Sequence, residues 1–452
     1  LQHGDTVYGR LWDGTNGSEY ASASVEDDIA PTVNISTSNL TSNSVTLNVT
    51  ASDGQSGLAE SGTYKYYLGN ELKATSTNNT YTFEDIFSST EYTIRVEVYD
   101  KAENMNESST TINTQTSEIE QAKESQRVFT QKTTLKDKYA NDITVPKGFK
   151  IALDSGNTVE QGIVIEDVSA STDTNVQGSQ FVWIPVGVFT KDDGNKSNEI
   201  ILGRYLFINN TISGVPEIKQ AAYTNDNPNN YMNEIEISQA TELPTYRAGN
   251  TANYENATAK DLAGFVNSVR NNGGYYLGRY EASFASGDSI SNYKAASKVS
   301  KTFNPTSMNH EAGTLWNTIS QIDASKVSIN TYADSTSVQS DLANSYAWDT
   351  AVIFLREVGY SDYMYKKGSE VNSDLVNTGT KQDEVCKIND MSSNLLEWST
   401  EYDGITVNDT IWPAVYRGGQ YGNANYYTAH RGGRSINGSQ LIGFRLMLYI
   451  SG

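Results

Sequence analysis

The chain has 452 residues, with 33 Lys and Arg against 54 Asp and Glu, for a net charge of −21. That balance argues against nucleic acid as a partner, because phosphate binding needs clustered Lys and Arg. A single cysteine, Cys386, excludes an intrachain disulfide, and no run of 18 apolar residues is present to span a bilayer. Tyr (29) far outnumbers Phe (12), and Asn, Ser and Thr are abundant. Strands and turns are therefore expected to dominate over helices.

The first elements form a repeat. Thr6–Val25 and Thr93–Ile112 align at an offset of 87 residues, with Val7 on Ile94, Leu11 on Val98, Trp12 on Tyr99 and Asp13 on Asp100. Each copy reads as an alternating strand, an Asp/Asn turn and a second strand. A spacing near 90 suits a sandwich domain of about 100 residues. Residues 1–28 are expected to be the last hairpin of one Ig-like repeat whose front lies outside this chain. Residues 29–117 are expected to be a complete copy, in the role of a stalk. Phe83–Asp100 resembles the E–F corner of fibronectin type III and bacterial Ig-like domains, with Tyr92 at the tyrosine-corner position. Asp53, Asp100 and Asn104 lie in its loops, either as turn formers or as oxygen ligands for calcium. Residues 118–134 are charged and lack Gly and Pro, and are expected to be a linker or a short helix.

From residue 135 the pattern changes. Short strands are expected in "DITVPKGFKIA" and "GIVIED", and a buried one in Gly178–Phe189 that ends at Pro185. Thr258–Gly274 reads as a helix, with Thr258 as cap, Asp261 at N3, an apolar face of Leu262, Phe265, Val266 and Val269, and two stopping glycines. A strand follows in "GYYLGRYEASF", and a second helix is expected over Ser340–Gly359. Two helices, many short strands and long polar loops point to an α+β domain over 135–452.

Several segments of this region together resemble one family. "FVWIPVGVF", "YYLGRYEAS", the Tyr346–Trp348 helix, "NDMSSNLLEWSTEYD", "VYRGGQY" and "GFRL" occur in that order. They resemble the formylglycine-generating enzyme domain, a variant of the C-type lectin fold. The resemblance implies a structural frame of Trp398, Arg417, Gly418, Gly419, Gly443, Phe444 and Arg445. Trp398 and Phe444 would be core anchors, and the two arginines would pin the ends of a long excursion. It also implies calcium near Asn389, Asp390, Asn394 and Glu397, whose oxygens are of the hard type that calcium prefers.

The catalytic residues of that family are missing. Its members use two cysteines after the RGG motif to bind copper, and here the stretch reads Gln420-Tyr421-Gly422-Asn423-Ala424-Asn425-Tyr426-Tyr427. Cys386 lies upstream and reads as a small buried hydrophobe. The related sulfoxide synthases use clustered histidines for iron, whereas His3, His310 and His430 are far apart. Glu397 and Glu401 lie four apart, but Glu397 belongs to the structural motif. The chain is therefore expected not to be an enzyme, with an oxidase of the formylglycine type as the remote alternative.

What remains between the two frame ends is a display of Tyr and Asn. Tyr offers large contact area at low entropy cost, and Asn, Ser and Gly adapt their hydrogen bonds. The expected ligand contacts are Trp412, Tyr416, Gln420, Tyr421, Asn423, Asn425, Tyr427, His430, Arg434, Ser435, Asn437 and Gln440. The arrangement also resembles the variable proteins targeted by diversity-generating retroelements, which place Tyr- and Asn-type variation near a C-terminus of this fold. These resemblances imply an adhesin-like binder outside the cell, on a bacterial surface or appendage, or on a phage virion. Its partner would be a surface protein or glycan. A structural subunit of a pilus or other filament is the alternative.

Overall fold

The computed structural model describes residues 3–203, 205–209, 216–220, 222–223, 231–232, 262–300, 312–316, 318–380, 383–407, 410–434 and 438–451. At 206, 208–209, 216–220, 222–223, 231–232, 262–263, 401–407 and 410–413 only the backbone is described. Strands predominate, with few helices. The chain divides into two compact units: residues 1–117 with 138–140, and residues 118–137 with 141–452.

In the first unit, β1 (Thr6–Gly9) and β2 (Ala21–Ser24) form a separate two-stranded hairpin. Seven strands follow: β3 (Thr32–Ser38), β4 (Val45–Ser52), β5 (Tyr64–Leu68), β6 (Glu71–Ser76), β7 (Thr80–Phe83), β8 (Glu91–Tyr99) and β9 (Met105–Asn113). They make a three-stranded sheet, β3-β4-β7, and a four-stranded sheet, β6-β5-β8-β9. Apolar residues alternate along the strands, so one face of each sheet is buried. Val45, Leu47 and Val49 of β4 share a core with Ile94, Val96 and Val98 of β8. The Tyr92 hydroxyl accepts the Phe87 N–H at 2.9 Å and closes the corner before β8.

The second unit begins with α1 (Glu118–Ser125). Ile119 and Ala122 lie three apart on one helix face and are buried in the core with Phe129 and Leu135. The short helix expected as the alternative is observed as α1, and residues 118–134 are part of the packed unit rather than a linker. The central sheet has six strands in the order Phe149–Ile151, Val164–Asp167, Gln180–Pro185, Gly274–Gly278, Leu446–Ile450 and Val338–Leu342. The C-terminal strand thus lies inside this sheet. A second sheet has the order Arg431–Arg434, Thr410–Arg417, Leu396–Val407 and Ile442–Phe444.

Three further helices are α2 (Leu262–Asn272), α3 (Gln321–Thr331) and α4 (Ser345–Glu357). The cap expected at Thr258 and Asp261 lies outside the described residues. α4 begins at its cap Asn344, whose side chain accepts the Ala347 N–H at 2.8 Å. The residues expected as its first turn, Ser340–Leu342, instead belong to a strand paired with Leu446–Leu448. α3 was not anticipated. Its buried face mixes Ala324 and Val327 with Ser325, Ser328 and Thr331, and Ser328 and Thr331 donate to the carbonyls of Ala324 and Val327 at 2.8 Å, so the apolar periodicity is weak.

Candidate binding site at the C-terminal frame

The strand Leu396–Val407 brings the two frame motifs together. Glu397 is paired across one edge with Arg417 and across the other with Gly443. The two ends of the closing excursion therefore meet on either side of a single residue.

Arg417 is fully buried and ion-paired with Asp349 of α4. Its Nε donates to the His430 carbonyl at 2.9 Å and its Nη1 to Ser345 Oγ at 3.2 Å. Asp349 also takes Arg431 Nη2 at 2.6 Å and the Tyr205 N–H at 3.0 Å. Asp349 was not anticipated. The signal was there, since a carboxylate inside the apolar run "SYAWDTAVIF" must find a partner. Trp348 Nε1 donates to the Thr428 carbonyl at 3.0 Å. A Cβ on Gly419 would lie 1.6 Å from the Ser392 carbonyl oxygen, and Gly418 has φ +84°. A side chain at Gly419 would have to displace backbone, and one at Gly418 would be strained.

Arg445 is equally buried. Its Nε and Nη2 grip Glu397 at 3.1 and 2.6 Å, and its Nη1 and Nη2 donate to the carbonyls of Gly278 and Asn389 at 2.9 and 2.7 Å. Trp398 Nε1 donates to the Ile319 carbonyl at 2.9 Å, and Phe444 packs against Trp316 with ring centroids 6.2 Å apart.

Between these ends the expected contacts divide. Asn425, Arg434 and Gln440 are exposed, and Tyr421 and Asn423 are half-buried. Asn423 Oδ1 accepts the Asn425 N–H at 2.8 Å and shapes this turn. Tyr416 and Gln420, expected as contacts, are instead buried. The Gln420 backbone lies against Gly368, where a Cβ would sit 1.8 Å from its carbonyl oxygen. Tyr427 and His430 pack as well as display: His430 stands 4.8 Å from Tyr426 and 5.5 Å from Tyr427 between ring centroids, and Tyr427 lies 5.6 Å from Tyr365. Burial, and then the Arg417 charge, push the His430 imidazole down to about 4, so it is neutral near pH 7. Trp412 is described in its backbone only, and Ser435 and Asn437 lie outside the described residues.

Behind the frame the buried carboxyls Glu281, Asp390 and Glu397 surround Arg445, with buried Asp383 beside Asp390. Glu281 accepts from Asn394 Nδ2 and from the Leu395 N–H, and was missed in the sequence because its partners lie over 100 residues away. Burial, then Asp390 and Glu397, push the Glu281 carboxyl well up, and burial followed by Asp383 lifts Asp390 to about 6. The four oxygens expected to hold calcium do not fit it as a set. Glu397 is spent on Arg445, and the Asn394 side chain is divided between Glu281 and the Val376 N–H. Asn389 and Asp390 each keep only one buried Oδ1 without a hydrogen bond.

Cys386 is buried with its Sγ 3.3 Å from the Glu160 carbonyl, and burial drives its thiol well up, away from thiolate chemistry. In the first unit, carboxylate oxygens of Asp27, Asp53 and Asp100 lie within 4.8 Å of one another. Asp27 was not anticipated, although the run Glu26-Asp27-Asp28 marks it. These oxygens accept backbone N–H groups from Ile29, Ser56, Gly57, Ala102 and Asn104, so the cluster closes its own loops. Asn104 Nδ2 adds bonds to Asp100 and to the Asp27 carbonyl at 2.8 and 2.9 Å.

No protein-family model and no curated protein matches the chain. Among solved structures, chitinase ChiA74 from Bacillus thuringiensis aligns with 43% of this chain and 24% of its own length, at 20% identity and a TM-score of 0.18. A similarity this low carries no argument about fold or activity.

Proposed function

We propose that the chain is a non-catalytic binding protein of a bacterial surface or appendage. The first unit serves as stalk, and the second is a C-type-lectin-like domain of the formylglycine-generating-enzyme type. Its ligand surface lies between Arg417–Gly419 and Gly443–Arg445, and its partner is a surface protein or glycan. One observation carries the reading: Arg417 and Arg445 at the frame ends are buried and ion-paired, while between them Asn425, Arg434 and Gln440 are exposed and Tyr421 and Asn423 half-buried. A buried frame fixes the loop at low entropy cost, and rigid presentation of Tyr and Asn suits contact without chemistry. The Cys386 environment agrees, because a buried thiol far from its thiolate state is a poor copper ligand.

A glycan and protein array probed with the full chain tests this reading. Replacing Tyr421, Asn423 and Asn425 by Ala should abolish binding to the ligand found while leaving the unfolding curve unchanged. Equal binding by both proteins would refute the site. Stoichiometric copper in the purified chain would favour the oxidase alternative.

A further inference from the structure

The hairpin β1–β2 repeats β8–β9 in three dimensions as well as in sequence. Its register is Thr6↔Ser24, Val7↔Ala23, Tyr8↔Ser22 and Gly9↔Ala21. Shifted by the repeat offset, these pairs become Thr93↔Thr111, Ile94↔Thr110, Arg95↔Ser109 and Val96↔Ser108, each of which is observed in β8–β9. The turn is built alike from an Asp, one residue tighter in the first copy, where Asp13 N–H donates to the Asn16 carbonyl and Asp100 N–H to that of Asn104. Asp13 Oδ1 accepts from the N–H groups of Thr15 and Asn16, and Asp100 Oδ1 from those of Ala102 and Asn104.

The larger difference is the cover. In β8 the inward residues Ile94, Val96 and Val98 are all 0% exposed, against Val45, Leu47, Val49 and Phe83 of the facing sheet. Their counterparts Val7 and Leu11 are 42% and 82% exposed. The free edge of β8 pairs with β5, in the register Tyr64↔Val98, Tyr66↔Val96 and Leu68↔Ile94. β1 pairs with β2 alone among the described strands. The outward face needs no cover: Arg10 lies over Trp12 and Tyr20 at 4.8 and 5.0 Å, as Arg95 lies over Tyr67 at 3.9 Å.

We propose that the Val7–Gly9–Leu11 face and the open edge of β1 are a docking surface for a five-stranded Ig-like segment equivalent to Thr32–Phe83. In the complete copy that role is taken by β3–β7, which stand ahead of β8. The complete copy itself names the occupant: two apolar strands for the inward face and one edge strand for pairing. An isolated two-stranded hairpin is marginal in water, and an apolar row left open on it is a liability that such a cover removes. The proposal is independent of the ligand surface proposed above.

The test joins a second copy of residues 29–87 directly ahead of Leu1 on the full chain. This restores the connection length of the complete copy, in which Ser88 aligns with Leu1. Amide exchange at Thr6, Tyr8 and Arg10, whose counterparts Thr93, Arg95 and Glu97 face β5, should slow by about 100-fold or more, and the added segment should resist proteolysis. Leu11→Asp in this chimera should restore fast exchange and expose the added segment to cleavage. The same substitution in the unmodified chain should leave its unfolding curve unchanged. Unchanged exchange in the chimera, indifference of the chimera to Leu11→Asp, or unfolding of the unmodified chain by it would each overturn the proposal.

Discussion

Burial lifts the Asp390 carboxyl to about 6, with Asp383 adding to the rise, from an ordinary value of 3.8. Between those values the folded chain holds a proton that the unfolded chain has released. The stability contributed by this proton is present below about pH 3.8 and is lost as pH rises through about 6. His430 acts in the opposite sense, since burial and Arg417 lower it from 6.5 to about 4. Its contribution is present above about 6.5 and is lost as pH falls through about 4. Unfolding free energies measured from pH 4 to 7 should therefore separate two variants. The advantage of wild type over His430→Gln should grow with pH, and that over Asp390→Asn should shrink. Parallel curves for both variants would contradict these environments. Arg445 allows a sharper test. Arg445→Met leaves Glu397 buried without its partner and should cost about 3–5 kcal/mol in denaturant unfolding. Adding Glu397→Leu should recover part of that loss. These pairings were only half legible in the sequence. Arg417 and Arg445 stand out beside their glycines, whereas Asp349 and Glu281 arrive from distant elements and no local pattern links them.

At the scale of elements, the frame works by backbone contact as much as by charge. Gly419→Ala would press a methyl group into the Ser392 carbonyl oxygen, and thermal unfolding should show a loss of about 1–3 kcal/mol or more. Asn425→Ala, on an exposed turn, should stay within about 0.5 kcal/mol of wild type. The same division bears on variation between siblings. Sequences from one population should differ at Tyr421, Asn423 and Asn425. Tyr416, Gln420 and Tyr427 should be retained, because their side chains or backbone pack against the core. Uniformity at the first set would count against a diversified surface. Periodicity identified β8 and the apolar part of α4, because alternating or helical spacing there coincides with burial. It failed at α3, whose inward face interrupts Ala324 and Val327 with Ser325, Ser328 and Thr331, the last two bonded to the helix's own backbone. It failed again at Ser340–Leu342, where a strand runs into the α4 cap without a break. In 118–134 composition misled, since two apolar residues on one helix turn are enough to seat a charged segment in a core.

At the scale of the molecule, the −21 charge is unevenly distributed, with no acidic residue from position 410 to the end and four arginines there. Two of them, Arg417 and Arg445, are consumed by the frame, and Arg431 shares Asp349, which leaves Arg434 outward beside the display. The repeat that opens the chain was legible because turn chemistry and register travel together at a fixed offset. Glu281 in the buried carboxyl cluster was not, because it lies more than 100 residues before the stretch that carries Asp383, Asp390 and Glu397. The account rests on one separation, between residues that hold the closing stretch and residues it presents. The most direct measurement is a substitution scan from Val415 to Leu446, scored both by folded yield and by binding to the ligand found on the array. Two sets are expected. Changes at Arg417, Gly419, Gly443 and Arg445 should lose fold and binding together, and changes at Tyr421, Asn423, Asn425 and Arg434 should lose binding alone. If the second set lost fold along with binding, or kept both, the closing stretch would not be a displayed binding surface.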